Sequence, residues 1–299
     1  MKNIANAVFL VSVTALVAAA SEDAALLHKK GVELGLKGSH AEAVKSFEKA
    51  VAASPRYKEA WIDLGVAFLK LSRYEKASES FDMAIKIDKK SARAWHGKGL
   101  CLYYAGKYAD SLRFFDRALK YGLPDASVIL SKGQALARLG KSEKAAGLFN
   151  SAVEAGPKDY ETWFNLGYEF GALGKLESAA LCFKQASVLD AKDTESRMNL
   201  GYAYESMARY SDAIAAYSEA VKLNAKYAEA RFARGRAYAA MLRHREAAED
   251  LRAAAGLEPG RPEIWLALSG QYEKTGQKAG AREAREKYDK MMSQKQEKK

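Results

Sequence analysis

The chain has 299 residues, 48% hydrophobic and 28% charged, and its 5 prolines and 2 cysteines exclude an extended low-complexity protein and a disulfide-built scaffold. Lys and Arg outnumber Asp and Glu by 48 to 37. The resulting net charge of +11 favours anionic partners such as membrane surfaces, polyanionic glycans or acidic proteins without selecting among them.

Residues 1–20 read as an export signal. Lys2 supplies a positive end, Ile4 to Val17 is mostly apolar, and Ala18-Ala19-Ala20 before Ser21-Glu22-Asp23 matches a small-residue cleavage site. The competing expectation is an uncleaved membrane anchor, but the run is at the short edge of the ~17 to 25 residues that span a bilayer. It also contains Asn6, Ser12 and Thr14.

From residue 24 the chain repeats with a period of 34. Gly31, Gly65, Gly99, Gly133, Gly167, Gly201 and Gly235 fall in one phase, and the next step, Ser269, breaks it. Nineteen residues after each glycine stand Ala50, Ala84, Ala118, Ala152, Ala186, Ala220 and Ala254; three residues before these come Phe47, Phe81, Phe115, Phe149, Phe183, Tyr217 and Leu251. Four before the glycine the series includes Trp61, Trp95, Trp163 and Trp265. Large residues three or four apart predict helices, two per repeat, here called A and B. Repeats start near residues 24, 58, 92, 126, 160, 194, 228 and 262. A fixed period of this size predicts stacked repeats whose stability is a sum over neighbours, hence one continuous domain.

Local signals fit these boundaries. Pro55, Pro157 and Pro259 stand in the turns between repeats. Glu59, Glu161, Glu195, Glu229 and Glu263 open A helices, where a negative charge offsets the helix dipole. Gly106, Gly140, Gly174 and Gly276 suit a positive φ between A and B. Lys30, Lys98, Lys132 and Arg234, one before the glycine, are expected to pack their stems and reach water with their charged ends. The eighth repeat, with Arg285 and Tyr288 at its aromatic and small positions, reads as a solvated cap, followed by a polar basic tail at 292–299 expected to be disordered.

The pattern of Trp, Leu-Gly, Tyr, Ala, Phe, Ala and Pro in 34 residues resembles the tetratricopeptide repeat family over roughly residues 24–295. The resemblance implies an all-α, right-handed superhelical solenoid of about eight helix-turn-helix repeats, with helix A lining a concave wall that binds protein segments. On that wall it places Phe164, Asn165, Tyr168, Met198, Asn199, Tyr202, Glu205, Phe232 and Arg236, and earlier Arg93, His96, Tyr103, Tyr104, Gln134 and Arg138. Paired amides can bond an extended backbone through donor and acceptor, with aromatics beside them. The family's clamp for chaperone C-terminal carboxylates is not matched. His28, Val32, Asp63, Arg93 and Gly97 occupy its positions in one window, and Phe164, Tyr168, Asn199, Glu229 and Ala233 in another.

Chemistry is sparse elsewhere. The histidines, His28 and His40 in the first repeat, His96 in the third and His244 in the seventh, have no Cys, Asp or Glu at metal-ligand spacing, so neither a metal nor another cofactor is expected. His96 is the strongest single candidate, though most such histidines are surface residues. No catalytic set and no phosphate-binding glycine loop can be placed. Cys101 and Cys182 should be buried and unpaired. An arginine group, Arg231, Arg236, Arg243 and Arg245, is a candidate anion patch.

The expectation is therefore an exported, non-enzymatic scaffold for a protein or peptide partner, plausible in envelope assembly. Two alternatives stand beside it: a binder of anionic polymer or lipid surface, and an accessory subunit of an enzyme on another chain. Nucleic acid ranks last, since export removes it and no base-stacking module is evident.

Overall fold

The computed structural model describes residues 22–122 and 124–297. The signal expected at 1–20 lies outside them, and no helix of the described residues is long and apolar enough to cross a membrane. The described residues form sixteen helices and no strand. Repeat one gives α1 (22–36) and α2 (His40–Ala53), repeat two α3 (Lys58–Lys70) and α4 (Tyr74–Ile87). Next come α5 (Ala92–Tyr104), α6 (Tyr108–Tyr121), α7 (Ala126–Arg138) and α8 (Ser142–Glu154). Repeats five and six give α9 (Tyr160–Ala172), α10 (Leu176–Leu189), α11 (Glu195–Ser206) and α12 (Tyr210–Leu223). The last two give α13 (Ala228–Ala240), α14 (His244–Leu257), α15 (Pro262–Lys274) and α16 (Lys278–Glu297).

Where the sequence reads as one run, the structure divides into two compact units, one ending at Gly156 and the other beginning at Pro157. Within each, consecutive helices pack on one another, from α2 to α8 and from α9 to α16.

Six of the seven phased glycines lie under an aromatic ring, and Gly235 lies under Leu251. A Cβ at Gly31, Gly99, Gly133 or Gly201 would stand 2.3 to 2.5 Å from Phe47, Phe115, Phe149 or Tyr217, the residue sixteen positions later on helix B of the same repeat. The close neighbour is thus an aromatic side chain rather than the backbone of another helix. Those rings are at most 3% exposed, and the small residues three positions beyond them, Ala50 to Ala254, are at most 1% exposed. Ser269 can replace the eighth glycine because its counterpart sixteen residues on is the exposed Arg285, which puts no ring there.

The Trp position has a second task. Indole Nε1 of Trp61, Trp163 and Trp265 donates to the carbonyls of Pro55, Pro157 and Pro259 at 2.9 Å, and that of Trp95 to Lys89 at 2.9 Å. Arg231, at the same position in repeat seven, donates from Nε to Ala225 at 3.0 Å, and Arg197 in repeat six reaches the carbonyls of Ser187 and Asp193. In six of the eight repeats the position holds a donor to the preceding turn, indole or guanidinium; Leu27 and Ile129 stand there in repeats one and four.

The A–B turn needs one left-handed residue, eight times. Gly38, Gly106, Gly140, Gly174 and Gly276 have φ of 70 to 79°, and Ser72, Ala208 and Leu242 take the same place at 55 to 60°. Three repeats therefore hold a strained side chain where glycine would be free of strain.

Three sequence expectations need correction. The cations before the glycine do not end in water: Lys98 pairs with Asp82, Lys132 with Asp116 at 2.7 Å, and Arg234 with Asp250 at 2.6 Å. Each bridges an A helix to a B helix sixteen positions away, because half-buried stems deliver the charge to a neighbouring carboxylate; only Lys30, in the first repeat, is exposed. Glu229 is more than a helix-start charge, since it accepts from Tyr202 Oη at 2.6 Å and pairs with Arg261. Finally, α16 runs unbroken to Glu297, so the tail from Met292 is helical to that residue. No Gly or Pro follows Gly280, and Lys287–Glu283 and Arg285–Asp289 pair across one turn.

Candidate functional site

On the second unit's A helices, residues 165 and 168 and residues 199 and 202 repeat one Asn-Tyr pair spaced by three. Asn165 and Tyr168 lie three apart on α9, hence on one face, and both are exposed, Tyr168 by 66%. On α11 the matching Asn199 and Tyr202 are partly buried. Tyr168, Asn199 and Tyr202 border a recess of about 300 Å3 between α9, α10 and α11, floored by Gly171, Ala172, Leu176 and Phe183. No charged side chain lines it. Among the described residues, the Asn165, Asn199 and Tyr168 side chains have no hydrogen-bond partner. Recessed apolar surface bordered by an unengaged amide, Asn199, can hold a chain segment that still has backbone groups to satisfy.

Met198 and Phe232 do not belong to this face. Met198 is 2% exposed and Phe232 7%, and both are core. Their position in the repeat, the fifth, packs onto helix B wherever it can be checked. Phe164 meets Phe183 at 5.7 Å between centroids, His96 meets Phe115 at 5.8 Å and His28 meets Phe47 at 5.5 Å. A helical side chain leans back over the preceding turn, which carries this position off the outer face and under the ring.

The same displacement corrects His96. It is not a fully exposed histidine: the side chain is partly buried, Nε2 meets Ser131 Oγ at 3.0 Å, and burial lowers its pKa to about 4 against a partial upward pull from Asp125. The imidazole is neutral and structural. His28 is likewise engaged, 2.8 Å from Asp63 and 3.1 Å from Tyr57 Oη, and Arg93 takes the other Asp63 oxygen at 2.9 Å. Tyr103 accepts from Arg138 Nε at 3.4 Å, and Tyr104 stacks on Tyr74 at 5.9 Å.

Nor do the four arginines form one patch. Arg231 closes its turn and lies 3.7 Å from Asp250; Arg236 bonds both Glu205 oxygens at 2.9 and 3.0 Å; Arg243 pairs with Glu246 at 2.8 Å. Three of the four thus face a carboxylate, and Arg245 stands exposed with no partner among the described residues.

Around Arg236 lies a network that periodicity did not reveal. Glu205 also accepts from Tyr217 Oη at 2.7 Å, while Arg236 and Arg261 flank the Phe232 ring at 5.4 and 4.7 Å. Burial and the carboxylate partners raise the phenol pKa of Tyr202 and Tyr217. The carboxyl of Glu229 sits below its ordinary value because bonds from Tyr202 and Arg261 outweigh its burial. The signal was present in the exchange of Phe for Tyr217 and of an apolar residue for Glu205, but only packing shows that the two meet.

Among the described residues no group of three or more His, Cys, Asp or Glu could hold a metal ion. Cys101 and Cys182 are free and buried, and burial pushes both thiols up to about 12. Neither is poised as a nucleophile.

Known proteins share this architecture. The crystal structure of the C-terminal part of a TPR repeat-containing protein from Cytophaga hutchinsonii is similar with a TM-score of 0.61 at 17% identity, over 76% of this chain and 93% of that one. The crystal structure of MamA is similar with a TM-score of 0.50 at 25% identity, over 55% and 96%. An uncharacterized protein of Methanocaldococcus jannaschii is 44% identical over 50 residues, 17% of this chain, which thus spans 58% of that relative's length. Sequence profiles described as tetratricopeptide repeat match residues 36–101, 96–160 and 160–193, and one described as TPR repeat matches 209–241. With these matches spread along its helix pairs and the glycine-on-ring packing repeated in both units, the chain belongs to the tetratricopeptide repeat family.

Proposed function

We propose that this protein is an exported, non-enzymatic scaffold that binds a protein or peptide segment on the helix-A face of repeats five and six, in the assembly or maintenance of an envelope complex. The observation that carries the reading is Tyr168, two-thirds exposed beside a charge-free recess, with Asn165 and Asn199 unengaged near it. Folding gains nothing from those groups as they stand. A bound segment would bury the ring and satisfy the amides. Export rests on residues 1–20.

The test is a crosslinking pull-down from native membranes with wild-type protein and the double variant Asn165→Ala, Asn199→Ala. Binding should weaken by about 1 to 3 kcal/mol with little change in melting temperature. Normal binding by the double variant would remove this face as the site. Intact mass of native material tests export: a chain beginning at Ser21 supports it, and one retaining Met1 in the membrane fraction makes the segment an anchor.

A further inference from the structure

A second recess, of about 830 Å3, lies on the helix-B side of the first unit, between α2 and α4. Its floor is the α3 surface of Trp61, Leu64 and Phe68, with Val51 on one wall and Met83 on the other. The next repeat shows what such a recess looks like when filled. There Phe114 packs on Trp95 at 6.0 Å, Arg117 lies over the indole at 4.6 Å, and Trp95 and Phe114 are each 8% exposed. One repeat earlier, Ser80 stands where Phe114 would be and Met83 where Arg117 would be. The hydroxyl of Ser80 is turned back to the Lys76 carbonyl at 2.8 Å, and Trp61 stays partly exposed.

The rim of the recess carries charges of both signs. Asp82 is taken by Lys98, Lys76 lies over the Phe68 ring at 5.9 Å and Lys86 meets the Met83 sulfur at 3.9 Å. The exposed carboxylates of Glu48 and Glu79 have no partner among the described residues. The filled repeat covers its Trp with an aromatic ring and a guanidinium; the open one lacks both, and its rim offers the carboxylates of Glu48 and Glu79 beside the ammonium groups of Lys76 and Lys86, which pair with no carboxylate among the described residues.

We propose that this recess is a docking site for a partner peptide that presents an aromatic side chain and a nearby arginine, the ring seated on Trp61 over Ser80 and the guanidinium drawn to Glu48 and Glu79. It is independent of the helix-A face, which lies in the other unit.

The probe is a fluorescein-labelled peptide with the α6 sequence, residues 108–121, which carries both Phe114 and Arg117, titrated into the full chain by fluorescence anisotropy. Ser80→Phe installs the missing ring, and it should keep or raise the melting temperature while weakening the peptide at least about thirtyfold, the scale of a buried aromatic anchor. Ser80→Ala should bind as wild type. Glu48→Lys with Glu79→Lys should weaken binding at low salt and less at high salt. The proposal is overturned if a peptide of the same composition in scrambled order binds equally, or if a folded Ser80→Phe protein binds unchanged. It is equally overturned if binding appears only after residues 1–20 are removed, which would make the chain's own leader the occupant. A wild-type dimer that Ser80→Phe dissociates, without peptide binding, would make the occupant a second copy and overturn it too.

Discussion

Two stretches of the second unit's helix-A face carry similar residues in opposite states. In repeats five and six, Asn165, Tyr168 and Asn199 face outward with nothing attached; in repeats six to eight, Tyr202, Glu205, Glu229, Arg236 and Arg261 engage one another. The Tyr at the same repeat position shows the difference: Tyr168 is 66% exposed, whereas the Tyr202 hydroxyl is held by Glu229 at 2.6 Å. A polar group that stabilises the fold is not available to a partner without breaking what it holds. The comparison therefore separates binding chemistry from packing chemistry on one surface.

The largest effect that would break the comparison lies beneath the two stretches. Gly201→Ala puts a Cβ 2.3 Å from Tyr217, whose hydroxyl is tied to Glu205, whereas Gly167→Ala meets Phe183 at 2.8 Å with no tether on that ring. Overpacking should cost about 2 to 3 kcal/mol at Gly201 and about 1 to 2 at Gly167, read by urea unfolding. Equal costs would show that the network adds no rigidity.

Next comes the hydroxyl itself. Tyr202→Phe should lose about 1 kcal/mol, since Glu229 forfeits a bond it has when half-buried, while Tyr168→Phe should change stability by less than about 0.5. Loss at both would place Tyr168 in the packing class and withdraw it from the site.

Acid should loosen only the engaged stretch. Glu229 titrates below its ordinary value in the folded protein, so the folded state binds fewer protons than the unfolded one as pH falls. Its contribution is fully present above the unfolded carboxylate pKa and is lost as pH drops through the lower folded value. Protection from hydrogen exchange, taken relative to the intrinsic rate at each pH, should fall in α13 and α15 between pH 7 and below 4 while α9, whose Asn165 and Tyr168 carry no such pair, keeps its protection. Uniform change along α9 to α15 would dissolve the distinction.

The smallest effect sharpens it from the turns. Leu242, 75% exposed, holds φ at 60° where repeat five has Gly174 at 70°. Leu242→Gly should gain about 0.5 to 1 kcal/mol and Gly174→Ala should lose a similar amount. If Leu242→Gly destabilises instead, the side chain is packing rather than strained.

Much of the fold could be read from periodicity because each repeat solves the same packing problem with the same residue types. Phe81, Phe115 and Phe149 are 0% exposed where the spacing puts them, and Cys101 and Cys182 are buried and free as expected. What could not be read were the partners of a position. Spacing gave the phase of Gly167 but not the Phe183 ring that covers it; Lys98 looked solvated and finds Asp82 sixteen residues back. The candidate site was legible at Asn165 and Tyr168, whose exposure follows from helical phase. It was not at Met198 and Phe232, because a face counted by angle ignores the backward lean that puts the fifth residue under a ring. The tail from Met292 was misjudged for a similar reason, composition having been weighed without the helix that leads into it.

The donor that closes the turn between repeats has a consequence for how such a chain acquires its charge. Trp163 in repeat five and Arg231 in repeat seven reach turn carbonyls equally well, and the Trp codon becomes an Arg codon through a single base change. The turn stays closed across that step while the chain gains a positive charge. At Arg197 and Arg231 the charge is therefore accounted for by turn closure and is not by itself a sign of an anionic partner.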